Sequence, residues 1–190
     1  MWPTAATGQI TLTGMAVSTS EWGSCITLLY EDSPGPAYGA LVCYMARHDD
    51  LEQAVNRQLE AAGWVTVGPP ALPHRPYLTF GGASHVSAVK TFFSSSHQTL
   101  SDQLQNWLQH SETTILSISM DSNDYGHCLV VLHEPGAARR YDAQVVFSSK
   151  HDQLEGLANQ ALYPLRPGGQ QLVAVGSNNY GHCLCIIREV

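Results

Sequence analysis

The residues best suited to chemistry in this chain are a tyrosine, a histidine and a cysteine that recur in one short motif. Tyr-Gly-His-Cys stands at residues 125–128 and again at 180–183. Tyrosine and histidine combine a flat apolar body with a hydrogen-bonding tip, and the glycine lets another group approach the backbone. The motif therefore indicates a contact surface for a ligand or partner. The candidate binding residues of the motif are Tyr125, His127, Tyr180 and His182.

The same motif also has a purely structural interpretation. Gly126 and Gly181 can mark bulges or close packing, and the Ser-Asn pairs shortly before them suit turns. Cys128 and Cys183 can fill core positions that are too small for leucine. Because duplicated residues can persist for folding alone, the sequence leaves both interpretations open.

Three further histidines, His48, His97 and His151, stand in register just ahead of or at predicted helix starts. The exposed backbone N–H groups and the helix dipole favour an anion at such positions. His97 and His151 are accompanied by Ser95 and Ser149, so these four are candidate contacts for a phosphate or carboxylate. In the alternative interpretation, Ser and Asp cap the helices and the histidine rings pack over the turns.

A cysteine nucleophile needs a histidine base within hydrogen-bond reach, whereas adjacent strand residues point to opposite faces. His127 and Cys128 therefore cannot form that pair locally. A histidine from elsewhere in the chain, such as His97 or His151 against Cys183, could supply the base. A hydrolase or transferase that depends on cysteine and histidine is thus the alternative function, but no catalytic motif is intact and no residue is assigned a catalytic role.

The spacings that mark metal and cofactor sites are missing from the sequence. It contains no C-x-x-C, no H-E-x-x-H and no Asp-rich calcium loop. It also contains no phosphate loop and no dinucleotide fingerprint. We predict neither a metal nor a cofactor, while a histidine ring gathered by internal symmetry stays open as an alternative.

The motifs recur because the chain repeats itself. Residues 122–129 and 177–184 are identical at seven of eight positions, and a fainter aromatic-Gly-x-Cys copy stands at residues 20–26. A second block repeats in phase, since residues 92–100 parallel residues 146–154, with a third member near residue 45. Matching spacings in two separate blocks indicate a duplicated structural unit.

Each second block opens a helix, because apolar residues then recur at helical spacing. Strand-like segments precede the helices, and paired strand candidates around polar turns follow them. We therefore predict an α+β fold of mostly antiparallel sheet with helices on one face, in a single compact domain of residues 1–190. It comprises three pseudo-repeated β-α-β-β units at about residues 37–81, 84–134 and 141–190, plus an N-terminal β-hairpin at 9–31.

Strand alternation then assigns the motif residues to faces. In the strand predicted from Tyr125 to His133, Tyr125 and His127 share one face, and Cys128 lies on the other face with Val130. We expect the same arrangement for Tyr180 and His182, with both motif cysteines buried among apolar neighbours.

One stretch of the first unit resembles a known group of domains. Val55-Asn56 lies within a predicted helix, and Ala62-Gly63-Trp64-Val65 forms its exit. This segment resembles small bacterial strand-helix-strand-strand domains of unknown function, and the third unit is similar but lacks the Gly-Trp exit. The resemblance implies a fold and supplies no catalytic residues.

Charge and cysteine usage narrow the choice of partners and compartment. The formal net charge of −7 argues against nucleic acid, which requires a basic surface to displace counterions. There is no signal-like start and no apolar run long enough to span a membrane, so we expect no membrane partner. Five cysteines make an odd count, and four lie in apolar strand-like runs, which suits reduced thiols in a cytoplasmic protein.

These features favour a non-catalytic binding protein that holds a partner protein or a small polar ligand. An inhibitor, an immunity-like protein or a sequestering protein would fit the charge and the missing catalytic motif. A third class is a structural subunit of a homo-oligomer, in which the N-terminal hairpin completes the sheet of a neighbouring copy.

Overall fold

The computed structural model describes residues 9–33, 37–62, 87–136, 139–162 and 170–190. These ranges are mostly antiparallel sheet with three helices, which agrees with the predicted α+β class. The elements are, in chain order, β1 Gln9–Ser20, β2 Gly23–Ser33, β3 Ala37–Met45, α1 His48–Ala62, β4 Ala88–Ser94, α2 His97–His110, β5 Thr113–Asn123, β6 Gly126–Pro135, β7 Tyr141–Ser148, α3 His151–Leu162, β8 Gln171–Asn178 and β9 Gly181–Glu189.

The strands form three sheets with the orders β1-β2-β3, β4-β6-β5 and β7-β9-β8, here called the first, second and third sheets. In each, the middle strand is the second strand of a hairpin and pairs on its other side with the strand that precedes a helix. The N-terminal hairpin forms the first sheet with β3 of its own chain. Residues 63–81 of the first unit, including its Gly-Trp exit, lie outside the described residues.

A glycine opens each middle strand, at Gly23, Gly126 and Gly181, with φ angles of 155°, 156° and 153°. Side chains other than hydrogen are disfavoured at such angles. A Cβ on Gly126 would also lie 2.5 Å from the carbonyl oxygen of Ser94, in the neighbouring strand. These glycines are therefore required by backbone conformation and by the close approach of the next strand.

Apolar side chains fill the space between successive sheets. The first and second sheets enclose a core that includes Cys128 and Val130 on one face of β6. The opposite face of β6 contributes Leu129 and Val131 to a second core, shared with the third sheet. The predicted placement of Cys128 with Val130 on one strand face is confirmed, and so is the burial of Cys128 and Cys183, both 0% exposed.

The helices begin at His48, His97 and His151, which the sequence placed just ahead of or at the helix starts. Their apolar residues recur every three to four positions because that spacing gives one continuous stripe. In α2 this stripe is Leu100, Leu104 and Leu108, all buried against the sheets. None of the described helices is long and apolar enough to span a membrane. The finer prediction, three pseudo-repeated units with helices on one face, stays a prediction.

Candidate functional site

Each of the three hairpins has a two-residue turn between its strands. These turns are Glu21-Trp22, Asp124-Tyr125 and Asn179-Tyr180. Hydrogen bonds between neighbouring turns place them side by side at one end of the three sheets. We call these six residues the turn row. The duplicated sequence motif thus supplies adjacent parts of one surface.

Asparagines connect the turns. The side-chain amide of Asn123 donates to the carbonyl oxygen of Ser20 (3.1 Å), and that of Asn178 donates to the carbonyl oxygen of Asn123 (2.8 Å). The Oδ1 atom of each asparagine also accepts hydrogen bonds from two backbone N–H groups of its own turn, at 2.9 and 3.1 Å. One side chain therefore both closes a turn and fixes its neighbour, which explains the choice of asparagine.

A further contact joins the tips of the second and third turns. The side-chain amide of Asn179 donates to both carboxylate oxygens of Asp124, at 2.9 and 2.8 Å. Both residues are exposed. Because its two residues belong to different hairpins, this contact forms only when the two turns are neighbours.

The strands that lead into the turns are also held together. The carboxylate of Asp121 on β5 accepts hydrogen bonds from the backbone N–H of Thr19 (2.6 Å) and from its hydroxyl (3.1 Å) on β1. On the other side, β8 comes so close to β5 that a Cβ on Gly176 would lie 2.5 Å from the hydroxyl oxygen of Ser122. The turn row therefore rests on three strands whose relative positions are fixed.

Large aromatic side chains project from the turn row into solvent. Trp22 is 74% exposed, Tyr125 63% and Tyr180 67%. Beside them, the hydroxyl of Tyr44 donates to the carbonyl oxygen of Trp22 (2.8 Å). Clustered aromatic side chains exposed to water mark interaction surfaces, because tryptophan and tyrosine dominate binding energies at interfaces.

Tyr125 and Tyr180 were candidate binding residues from the sequence, whereas Trp22 was not. The signal for Trp22 was present, since the fainter copy at residues 20–26 keeps the aromatic-Gly-x-Cys pattern. The two hairpins also share a register, since Ser20 faces Gly23 in the first hairpin, as Asn123 faces Gly126 in the second.

The expectation that Tyr125 and His127 share a strand face is wrong. The strand begins at Gly126, so Tyr125 belongs to the turn and is exposed, whereas His127 is only 5% exposed. The Nδ1 atom of His127 lies 2.8 Å from the hydroxyl oxygen of Ser122, and its ring lies 6.1 Å from that of Phe147. Burial, followed by the positive charge of a protonated His97, lowers the pKa of His127.

His182 is arranged like His127. Its Nδ1 atom lies 2.8 Å from the hydroxyl oxygen of Ser177 on the facing strand. Tyr180 again belongs to the turn, because β9 begins at Gly181. The motif therefore separates into an exposed aromatic tip and a histidine that bonds to a serine across its own hairpin.

Among the described residues, no hydrogen bond or ring contact joins the helix-start candidates to the aromatic side chains of the turn row. The His97 ring stacks on Phe147, with ring centres 5.2 Å apart and planes 14° apart. The Ser96 hydroxyl accepts from the backbone N–H of Thr99 and caps α2. Ser95 and Ser149 are exposed before different helices, and the side chain of His151 lies outside the described residues.

The motif cysteines are poor nucleophiles in this environment. Burial raises the pKa of Cys128 to about 12 and that of Cys183 to about 12. Burial likewise raises the pKa of Cys185. Because the thiolate is the reactive form, these thiols are almost entirely in the unreactive form near neutral pH. All five cysteines are free thiols, and Cys25 is the one that is partly exposed.

Within the described ranges, no three histidine, cysteine or carboxylate side chains are grouped in a way that could hold a metal ion. Comparison with known proteins adds no assignment: no protein-family model matches the chain, and neither the curated proteins nor the solved structures include a match.

Proposed function

We propose that this is a non-catalytic binding protein whose turn row contacts a partner protein. The observation that carries the proposal is the exposure of Trp22, Tyr125 and Tyr180 on three turns that Asn123 and Asn178 hold side by side. Rigid aromatic side chains lose little conformational entropy on binding, and a prearranged backbone lowers the ordering cost further.

The shape of the turn row favours a protein over a small polar ligand. Small-molecule sites are concave and surround most of the ligand, whereas turn tips at the end of sheets project outward. The row also carries the carboxylates of Glu21 and Asp124, both exposed, in a chain of net charge −7. A partner surface with arginine or lysine next to apolar side chains would complement it, by ion pairing and by cation–π contact.

We also propose that the turn row arose from the three-unit repeat. The glycine that follows each turn has the same conformation in all three hairpins. The registers of β1 and β5 both shift seven residues before the turn, between Leu12 and Gly14 and between Ile115 and Ser117. Duplication of one hairpin would thus place three contact residues on one surface.

The histidines have a supporting role in this proposal. His127 and His182 stabilise their hairpins through Ser122 and Ser177, and do not contact the partner.

The cysteines give no support to the hydrolase or transferase alternative, because burial raises the pKa values of Cys128 and Cys183 and keeps both thiols protonated. Free thiols in all five cysteines fit a reducing, cytoplasmic setting. An inhibitor or immunity-like role is the form of binding that suits an acidic aromatic surface.

The test is affinity capture with the natural chain and a triple variant, Trp22→Ala, Tyr125→Ala and Tyr180→Ala, from an extract of the cells that make the protein. A protein captured by the natural chain is then purified and titrated by calorimetry. We expect the triple variant to lose binding while its unfolding transition stays within about 1 kcal/mol of the natural value, because exposed side chains contribute little to stability. Equal binding by both chains would refute the proposal.

A further inference from the structure

Each of the first two helices packs against the edge strand of the following sheet through one equivalent position. Asn56, eight residues after His48 in α1, accepts from the backbone N–H of Val89 (2.6 Å) and donates to its carbonyl oxygen (2.8 Å) on β4. Gln105, eight residues after His97 in α2, accepts from the backbone N–H of Ala143 (3.0 Å) on β7. A side chain at the same helix position thus bonds to the edge strand of the next sheet twice.

The third helix has an equivalent polar residue but no following sheet among the described residues. Asn159 stands eight residues after His151 and is exposed. Leu154 and Ala158 are only partly buried, whereas Leu100 and Leu104, at the corresponding positions of α2, are 0% exposed. The α3 surface therefore resembles an interface for which the described part of the chain provides no partner strand.

The outer face of the third sheet is uncovered in the same way. Val173 and Val175 on β8 are 52% and 55% exposed. Ile118 and Met120, which stand the same number of residues before the turn on β5, are 9% and 6% exposed because the third sheet covers them. We call the surface formed by Val173, Val175 and Asn159 the tail face.

At the other end of the array, the outer face of the first sheet is apolar and exposed. Leu29, Val42 and Tyr44 are 49%, 58% and 54% exposed. In the second sheet, the strand register places Leu132 and Thr91 at the positions of Leu29 and Val42, and they are 4% and 9% exposed. We call the surface formed by Leu29, Val42, Tyr44 and the adjoining β3 edge at Ala40 the head face.

We propose that the tail face of one copy of this chain docks on the head face of a second copy. Asn159 would then bond the backbone of Ala40 of the second copy, since Ala40 holds on β3 the register position that Val89 holds on β4. A second copy is the occupant because each uncovered face matches the surface that the opposite end of the chain offers. The contact between copies would be continuous with the one made twice inside the chain.

Such an interface joins two different surfaces, so it is head-to-tail and propagates into a ring or a filament. It uses no residue of the turn row, although Tyr44 of the head face bonds to the carbonyl oxygen of Trp22. It does not rest on the proposed binding function. Failure of one proposal would leave the other standing.

The experiment is analytical ultracentrifugation of the full chain over a range of concentrations, with Val42→Lys in the head face and Val175→Lys in the tail face. Both valines are more than half exposed, so the substitutions should leave the fold intact while placing a charge in the docked interface. We expect the natural chain to self-associate, and each variant to stay monomeric at concentrations about tenfold higher. Val190→Lys, at a valine that is 53% exposed outside both faces, is the matched control and should associate like the natural chain.

Mixing the two variants tests whether the contact joins a head face to a tail face. The Val42→Lys chain keeps its tail and the Val175→Lys chain keeps its head, so an equimolar mixture should form a one-to-one dimer and nothing larger. A natural chain that is monomeric at every concentration would overturn the proposal. So would a Val175→Lys chain that dimerises as well as the natural one, because that result indicates pairing of two head faces.

Discussion

The side-chain amide of Asn178 donates a hydrogen bond to the carbonyl oxygen of Asn123, 2.8 Å away on the neighbouring hairpin. The Oδ1 atom of the same side chain accepts from the backbone N–H groups of Tyr180 and Gly181. One side chain therefore fixes both the conformation of its own turn and the distance to the neighbouring turn. Because Asn123 repeats this double role toward Ser20, the exposed aromatics keep a fixed spacing along the turn row.

Replacing Asn178 by alanine should loosen the turn row. The substitution removes three hydrogen bonds at a half-buried position, so we expect a loss of about 1–3 kcal/mol in the free energy of unfolding, measured by urea denaturation. Partner affinity should fall as well, since the third aromatic loses its fixed position. Asn106→Ala, on the exposed side of α2, is the matched control and should change neither quantity by more than about 0.5 kcal/mol.

Substituting alanine for Gly126 should destabilise the protein by more than about 2 kcal/mol, since a Cβ is disfavoured at φ 156° and would collide with Ser94. Gly156 in α3 provides the opposite case, because a Cβ there meets nothing within 4 Å. Gly156→Ala should stabilise by about 0.5–1 kcal/mol through its better helix propensity. Thermal unfolding of the two variants compares them directly, and a stable Gly126→Ala chain would contradict the close approach of the strands.

Much of this architecture could be predicted from the sequence, because periodicity and repetition are local signals. The helix starts at His97 and His151 and the burial of Cys128 and Cys183 follow from residue spacing. The turn row could not be predicted, because it depends on which sheets become neighbours. The face of Tyr125 was misassigned for a local reason: the strand begins one residue later, at Gly126.

Stability should decrease in mild acid because of buried histidines. Burial lowers the pKa of His133 to about 4, with the nearby carboxylate of Glu52 opposing that shift and Lys90 adding to it. The unfolded chain therefore binds this proton below pH 6.5, before the folded chain does. The contribution of neutral His133 to the free energy of unfolding is therefore fully present above pH 6.5. It is lost as the pH falls from 6.5 toward 4, by up to about 3 kcal/mol.

Urea denaturation at several pH values checks this expectation. In His133→Asn, which keeps a polar group near the hydroxyl of Thr113, the dependence on pH should be shallower. The remaining slope includes His127, whose pKa burial also lowers. The exposed His110 serves as the control, and His110→Asn should retain the full slope. An unchanged slope in His133→Asn would show that this histidine is not the source.

Thiol labelling should distinguish the cysteines. With iodoacetamide at neutral pH, we expect Cys25 to react first because it is partly exposed, while Cys128, Cys183 and Cys185 stay unmodified in the folded chain. Mass spectrometry of digested samples, with and without urea, identifies the labelled sites. Rapid labelling of Cys128 or Cys183 in the folded protein would contradict their burial and reopen a nucleophilic role.

The most direct measurement for the turn row is calorimetric titration of a captured partner protein against Trp22→Ala, Tyr125→Ala and Tyr180→Ala, singly and combined. Each exposed aromatic should contribute about 1–2 kcal/mol, so the triple variant should bind at least about 100-fold more weakly while its unfolding transition is retained. Val190→Ala, an exposed apolar position outside the row, should bind like the natural chain. A triple variant that binds with unchanged affinity would contradict the assignment of the turn row as the binding surface.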